Sequence, residues 1–442
     1  MFFMSAIVAK FGGSSIADVP QFKKVRGIVL SDPRRRYIVP SAPGKRFSDD
    51  EKITDLLYKC HYDAQAGKDI TETFDKIYKR FTDIAAELGL KSNIGKELEV
   101  IKYSIQNGQS ADYAASRGEY LNGILLAEYL GYDFIDAAEV IFFDPRGNYD
   151  HAMTQERLSA RLSKHERAVI PGFYGAKQNG TIKTFSRGGS DISGAIVARA
   201  ADAELYENWT DVSGFLMTDP RIVENPRAIK IITYKELREL SYMGATVFHE
   251  EAIFPVKQAQ IPINIRNTNR PQDPGTTIVA EAPPHKDENI TGIAGKKGFT
   301  AISIEKSMMN SELGFGRRAL KVLEDHGVSF EHLPTGIDTM TIVLSDSEID
   351  GKLDDIITGL YRTCNPDGVE VTTGLSLIAT VGRGMVRQPG TSAKLFAALH
   401  KAHVNVRMID QGSSELNIIV AVESGDFEKA VNAIYSAFVD VI

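Results

Sequence analysis

Apolar and polar positions along the chain alternate between two rhythms. The short apolar run Ala6 to Ala9 closes at Gly12-Gly13, which predicts a parallel strand buried on both faces. Next, Phe22, Val25, Ile28 and Val29 share one helical face, with Asp18 placed as N-cap and Pro20 tolerated in the first turn. Arg36 to Pro40 (RYIVP) reads as a second strand, ending in Ser41-Ala42-Pro43-Gly44. Strand, glycine loop, helix, strand is the grammar of a doubly wound α/β sheet. It returns at Arg167–Phe173 and Ala203–Trp209, while Asp49–Gln65 and Ile70–Leu88 predict helices that cover the sheet.

The texture changes at Pro271–Asn289, where proline, glycine and charge crowd together. This predicts one domain over 1–285 and a second region over 286–442. The second region repeats itself. Strand Phe299–Glu305, helix Phe315–His326, strands Val328–Leu333 and Thr339–Leu344, helix Ile349–Tyr361 and strand Val369–Thr372 form one set. Strand Leu375–Val381, helix Ser392–Ala402, strands Val404–Ile409 and Leu416–Val422 and helix Phe427–Phe438 form the next. Each is a ferredoxin-like βαββαβ order, at about 299–373 and about 374–442, with a strand from 290–297 available to complete the second.

A chain of 442 residues exceeds one ordinary core, so two to four domains are expected. A net charge of −7 lacks the basic excess of nucleic-acid binders, so no nucleic-acid partner is expected. Cys60 and Cys364 form no ligand or disulfide framework, which suits a reducing cytoplasm. No apolar run reaches bilayer length, and no membrane partner is expected. The opening stretch Met1–Ala9 lacks a leading basic region and reads as a buried strand rather than a signal peptide.

Four motifs carry chemistry. Lys10-Phe11-Gly12-Gly13-Ser14-Ser15 stands where a strand gives way to a helix. Its glycines let backbone N–H groups approach a phosphate, and Lys10 can add a point charge. The same residues also suit a plain βα turn, and no GxxxxGK[ST] loop occurs. Ser186-Arg187-Gly188-Gly189-Ser190-Asp191 forms a second glycine loop, in which Arg187 offers a fork for a carboxylate. Asp191 there can serve as a helix N-cap. Two such loops, each beside a cation, suggest two anionic ligands that meet. Trp209-Thr210-Asp211-Val212 and Thr218-Asp219-Pro220-Arg221 suit ribose and phosphate contacts or a magnesium water shell, or simply turns. In Ser116-Arg117-Gly118-Glu119, Glu119 can receive a substrate ammonium group or stand as a solvated acid at a helix start.

These motifs, with Ser41–Arg46, Thr54 and Asp55, occur in the order seen in aspartate kinases, and the repeated tail resembles their paired ACT domains. The resemblance covers nearly the whole chain. It implies an open αβα sandwich of the amino-acid kinase type followed by two ferredoxin-like ACT domains, with ligands above the carboxyl ends of the strands. It makes Lys10 and the Gly12, Gly13, Ser14 backbone phosphate-binding, and places Thr210, Asp211, Thr218, Asp219 and Arg221 near ATP. Ser41, Thr54, Glu119, Arg187, Gly188, Gly189 and Ser190 become contacts of L-aspartate, with Lys10 and Asp191 as the catalytic pair. Mg²⁺ is expected to travel with ATP, without direct protein ligands. One departure stands out: where the family often has a lysine in a GAKVLHP-like stretch, this chain has Thr246, with Lys230 and Lys257 as candidate substitutes.

The implied reaction is phosphorylation of the aspartate side chain, the first step toward lysine, threonine and methionine. An aspartate carboxylate is already ionised at neutral pH, so positioning and charge stabilisation replace a general base. The implied ACT pocket comprises Met309, Asn310, Ser311, Gly314, Phe315, Ser329, Glu331, Thr335 and Asp338. Its acids suit a basic effector, lysine rather than threonine, although Glu331 and Asp338 also suit a solvated surface. A homodimer through the ACT domains, or a tetramer, is implied. Rival readings are a glutamate or acetylglutamate kinase and a non-catalytic amino-acid sensor. No fused homoserine dehydrogenase is expected.

Overall fold

The computed structural model describes residues 5–186, 188–245, 254–283 and 289–439. Two calls of interest, Arg187 and Thr246, lie outside them. The chain divides into two compact units: one comprises 1–215, 230–234 and 247–282, the other 216–229, 235–246 and 283–442. The second unit therefore takes two segments from ahead of the proline-rich linker.

The first unit is built on an eight-stranded sheet, and Ile7–Phe11 lies near its middle. Every residue of that strand is buried, as its unbroken apolar run predicts for a strand covered on both faces. It pairs in parallel with Arg35–Pro40 on one side and Leu205–Thr210 on the other, setting Lys10 opposite Val39 and Asn208. Helix Val19–Leu30 follows the glycine loop, and its Asp18 cap accepts a hydrogen bond from the Gln21 N–H. Helices Ile53–Gln65, Thr71–Glu87, Ile94–Gln106 and Ala111–Leu130 share a core built around Phe22, Phe74, Phe81 and Leu125. The carboxyl ends of the central strands are left for loops, which is where open α/β sheets bind ligands.

The second unit holds a five-stranded antiparallel sheet. Two long strands, Gly292–Glu305 and Gly368–Val381, run through both repeats and pair with each other along most of their length. The early part of the first strand, from Gly292, lies beside the end of the second at Val381, within the later repeat. Together with Val406–Asp410 and Asn417–Glu423 it gives the ferredoxin-like order. The earlier repeat departs from expectation in one element. Val328–Leu333 is not a strand: only isolated bridges, His332 to Val343 and Thr335 to Met340, mark the edge. Val328 and Leu333 turn into the module's core while Ser329 and Phe330 face outward, and Pro334 removes a ladder donor. Likewise Val369–Thr372 and Leu375–Val381, expected as two strands, form one.

Candidate active site

A cleft of about 240 Å³ opens in the first unit. It is lined by Lys10, Ser41, Thr54, Glu119, Phe173, Ser186, Gly188, Gly189, Ser190 and Asp191. Every lining residue except Phe173 and Ser186 was singled out from the sequence, and six separate stretches of chain contribute to it.

Lys10, next to last in the central strand, points its amine at the helix Gly189–Ala200, where Nζ lies 2.5 Å from Asp191 Oδ1. Asp191 is not the N-cap of that helix; Gly188 is, at a φ of 69° that favours glycine. This leaves the Asp191 side chain free to turn inward from the first turn. Its Oδ1 also accepts from Asn208 Nδ2 at 2.8 Å, and its carbonyl accepts from the Tyr206 hydroxyl at 3.0 Å. Asn208 sits beside Lys10 in the parallel register, so two adjacent strands fix one carboxylate. Sequence reading missed Asn208. Its signal is a polar side chain inside the otherwise buried strand Leu205–Thr210.

On this side of the sheet the loop Gly12–Ser14 touches the loop Ser41–Gly44. Gly12 N–H donates to the Trp209 carbonyl at 2.9 Å, and Gly44 N–H donates to the Gly13 carbonyl at 2.9 Å. A Cβ on Gly44 would stand 2.6 Å from the Gly13 carbonyl carbon, so only glycine permits this approach. Ser41 N–H donates to the Phe11 carbonyl, and Asn122 Nδ2 holds the Ser41 carbonyl at 2.7 Å.

Glu119 is neither solvated nor at a helix start. It lies midway along Ala111–Leu130, is buried, and has no hydrogen-bond partner on Oε2. Burial pushes its carboxyl up to about 8, against the backbone N–H groups of Ala42 and Glu119 itself and the charges of Arg117 and Lys10. A buried acceptor without a donor, in the wall of a cleft, fits an incoming ammonium group. Arg117 faces away from solvent among the rings of Tyr113, Tyr120 and Tyr174, at 4.5–5.2 Å. Phe173 adopts a φ of 76°, a strained backbone for an aromatic residue, at the cleft wall.

The remaining nucleotide candidates divide between the units. Thr210 and Asp211 follow the strand that carries Asn208, and the Thr210 hydroxyl donates to Asp211 Oδ1 at 3.1 Å. Thr218, Asp219 and Arg221 belong to the second unit, where Arg221 pairs with Asp219 at 2.6 Å. Among the effector candidates, Met309 and Phe315 are buried in the first repeat's core, whereas Asn310, Ser311, Gly314, Ser329 and Thr335 are exposed. Asp338 Oδ1 accepts from the Met308 N–H at 2.8 Å, so this acid shapes the loop. Glu331 hydrogen-bonds Tyr242, whose hydroxyl burial pushes up to about 12.

Among the described residues no helix is long and apolar enough to cross a membrane, and no group of three or more His, Cys, Asp or Glu is placed to hold a metal.

The model of the amino acid kinase family matches residues 5–267, and that of the ACT domain matches residues 378–438. Aspartokinase 3 of Bacillus subtilis is 40% identical over 446 residues, covering 98% of each chain. The crystal structure of Clostridium acetobutylicum aspartate kinase superposes with a TM-score of 0.91 at 57% identity, over 98% of this chain and 100% of that one. Escherichia coli aspartokinase III in complex with aspartate and ADP gives 0.71 at 26% identity, over 98% and 99%. In complex with lysine and aspartate it gives 0.74 at 27% identity, over the same shares. The chain belongs to the amino acid kinase family, among its ATP-dependent aspartate kinases with C-terminal ACT modules.

Proposed function

We propose that this enzyme transfers the γ-phosphoryl group of MgATP to the side-chain carboxylate of L-aspartate, giving 4-phospho-L-aspartate and ADP. The observation that carries the reading is the Lys10–Asp191 pair in one cleft with Glu119, whose Oε2 has no donor. The substrate's carboxylate oxygen attacks the γ-phosphorus as the bond to the ADP oxygen breaks. No proton need be removed, because the attacking carboxylate is already ionised. What the protein supplies is position and positive charge against a crowded set of anions.

Lys10 neutralises the transferred group, and the backbone of Gly12, Gly13 and Ser14 cradles the donor phosphates, with Thr210, Asp211, Thr218, Asp219 and Arg221 near the nucleotide. Asp191 holds the Lys10 amine in place rather than taking a proton. Glu119 receives the aspartate ammonium, Arg187 its α-carboxylate, and Ser41, Thr54, Gly188, Gly189 and Ser190 complete the pocket. Mg²⁺ arrives with ATP, without direct protein ligands. When bound, that ion would offset the charge of the donor phosphates.

The reaction opens a route to lysine, threonine and methionine in the cytoplasm, and an end product controls it through the ACT modules. The effector is lysine, held by the loop of Asn310, Ser311 and Gly314 with Glu331. That Escherichia coli aspartokinase III is solved with lysine supports this reading. A second copy of the chain covers Met308, Leu313 and Ile337, large apolar residues that are 69%, 95% and 70% exposed around the same loop. A homodimer, or a tetramer built from it, follows.

The test is ADP release from ATP and Mg²⁺ with L-aspartate, repeated with lysine and with threonine. Aspartate-dependent release suppressed by lysine is expected. Release with glutamate instead would move the chain to a sibling kinase, and lysine binding without any turnover would make it a sensor.

A further inference from the structure

Helix Thr71–Glu87 turns Phe74, Ile77, Phe81 and Ile84 toward the core, yet the same face carries Arg80, only 7% exposed. A charge buried in an apolar stripe persists only where its donors are met. Nη2 of Arg80 donates to Asp50 Oδ2 at 2.7 Å. Nη1 donates to the Gly44 carbonyl at 3.2 Å and to the Ala17 carbonyl at 3.4 Å. Gly44 belongs to the loop that begins at Ser41, and Ala17 closes the turn that begins at Gly12-Gly13. One guanidinium thus bridges the two loops that meet through the Gly44 to Gly13 hydrogen bond.

Asp50 completes the device. It is buried, and its two oxygens also accept from the Arg46 backbone N–H and guanidinium at 2.9 Å. Those arginines hold its carboxyl far below the usual carboxylate range. Arg46 is itself part-exposed, and its guanidinium donates to Asp50. Arg80 alone reaches both loop carbonyls among these contacts.

We infer that Arg80 is a positioning residue for phosphoryl transfer, setting the distance between the donor loop at Gly12–Ser14 and the acceptor loop at Ser41–Gly44. The inference rests on the aspartate-kinase reading of the cleft. Each loop still binds its own ligand when the bridge is lost, but the reacting atoms no longer meet in register. Displacements of about 1 Å from a remote change cost on the order of a hundredfold in rate. The signature is therefore a fall in kcat with little change in either KM.

The experiment is R80K in the full-length enzyme. Lysine keeps the charge opposite Asp50 but loses the fork to the two carbonyls. Thermal melting near that of the parent is expected, with kcat down by about 10- to 100-fold and both KM values within about threefold. A merely structural role predicts lost melting temperature with unchanged kcat per active site counted by single-turnover burst. That result, an R80K chain that fails to fold, or kcat within about twofold of the parent would each overturn the inference. A parent enzyme without aspartate-dependent turnover would strike the functional reading instead.

Discussion

Lys10 Nζ and Asp191 Oδ1 stand 2.5 Å apart, one next to last in the central strand and the other in the first turn of the helix after the second glycine loop. The two lie far apart in sequence, and it is the family resemblance that names them as a pair. Their meeting places a cation with a fixed direction in the lining of the cleft. Lys10→Met removes that cation and leaves Asp191 held by Asn208. Turnover is expected to fall by at least about a hundredfold, with circular dichroism unchanged. Near-normal turnover would remove Lys10 from the mechanism.

Glu119 gives the enzyme a pH dependence with a definite sign. Its folded-state value, about 8, lies above the ordinary 4.5, so between these limits the folded state holds a proton that the unfolded chain releases. The contribution to stability is full below about pH 4.5 and declines as pH rises toward 8. Urea melts at pH 6 and pH 8.5 should show the native enzyme losing stability relative to E119Q. An ammonium ligand favours the charged carboxylate, so aspartate binding at pH 7 should release a proton, read by calorimetry in two buffers of different ionisation enthalpy. E119Q should weaken aspartate binding and abolish that release.

Gly44 tests the contact between the loops without touching a charge. A methyl group there meets the Gly13 carbonyl carbon at 2.6 Å, backbone against backbone, so one loop must move. Gly44→Ala is expected to cost about 1–3 kcal/mol in stability, measured by denaturant melts, and to lower kcat as well. Unchanged kinetics would mean that the loops tolerate separation.

The second unit carries its own buried ion pair. Glu236 is wholly buried and accepts from Arg383 Nη1 at 2.9 Å, from the Arg383 N–H at 2.8 Å and from the Thr291 hydroxyl at 2.5 Å. Arg383→Met removes a guanidinium paired with that buried carboxylate, which costs about 3–5 kcal/mol. Hydrogen exchange in the strands from Gly292 and from Gly368 should accelerate accordingly. An apolar replacement of both partners should recover most of the loss.

The sequence by itself determined what depends on a few neighbouring residues. The buried first strand, the Asp18 cap, both glycine loops and the repeated βαββαβ order are all legible, because caps, periodicity and left-handed turns are local properties of the chain. Eight of the ten cleft residues could be named in advance. Lys10, Gly188, Gly189, Ser190 and Asp191 come from glycine loops at strand ends, Glu119 from its own short motif, and Ser41 and Thr54 only through the family resemblance. Tertiary structure alone decided the rest. That Asn208 and Lys10 share Asp191, that Glu119 is buried rather than solvated, and that Arg80 bridges two loops follow from packing between distant segments. The edge segment Val328–Leu333 reads as a strand by its alternation but forms only isolated bridges. Periodicity tells a segment which face to bury, whereas the ladder partner and the depth of burial are set by residues far along the chain.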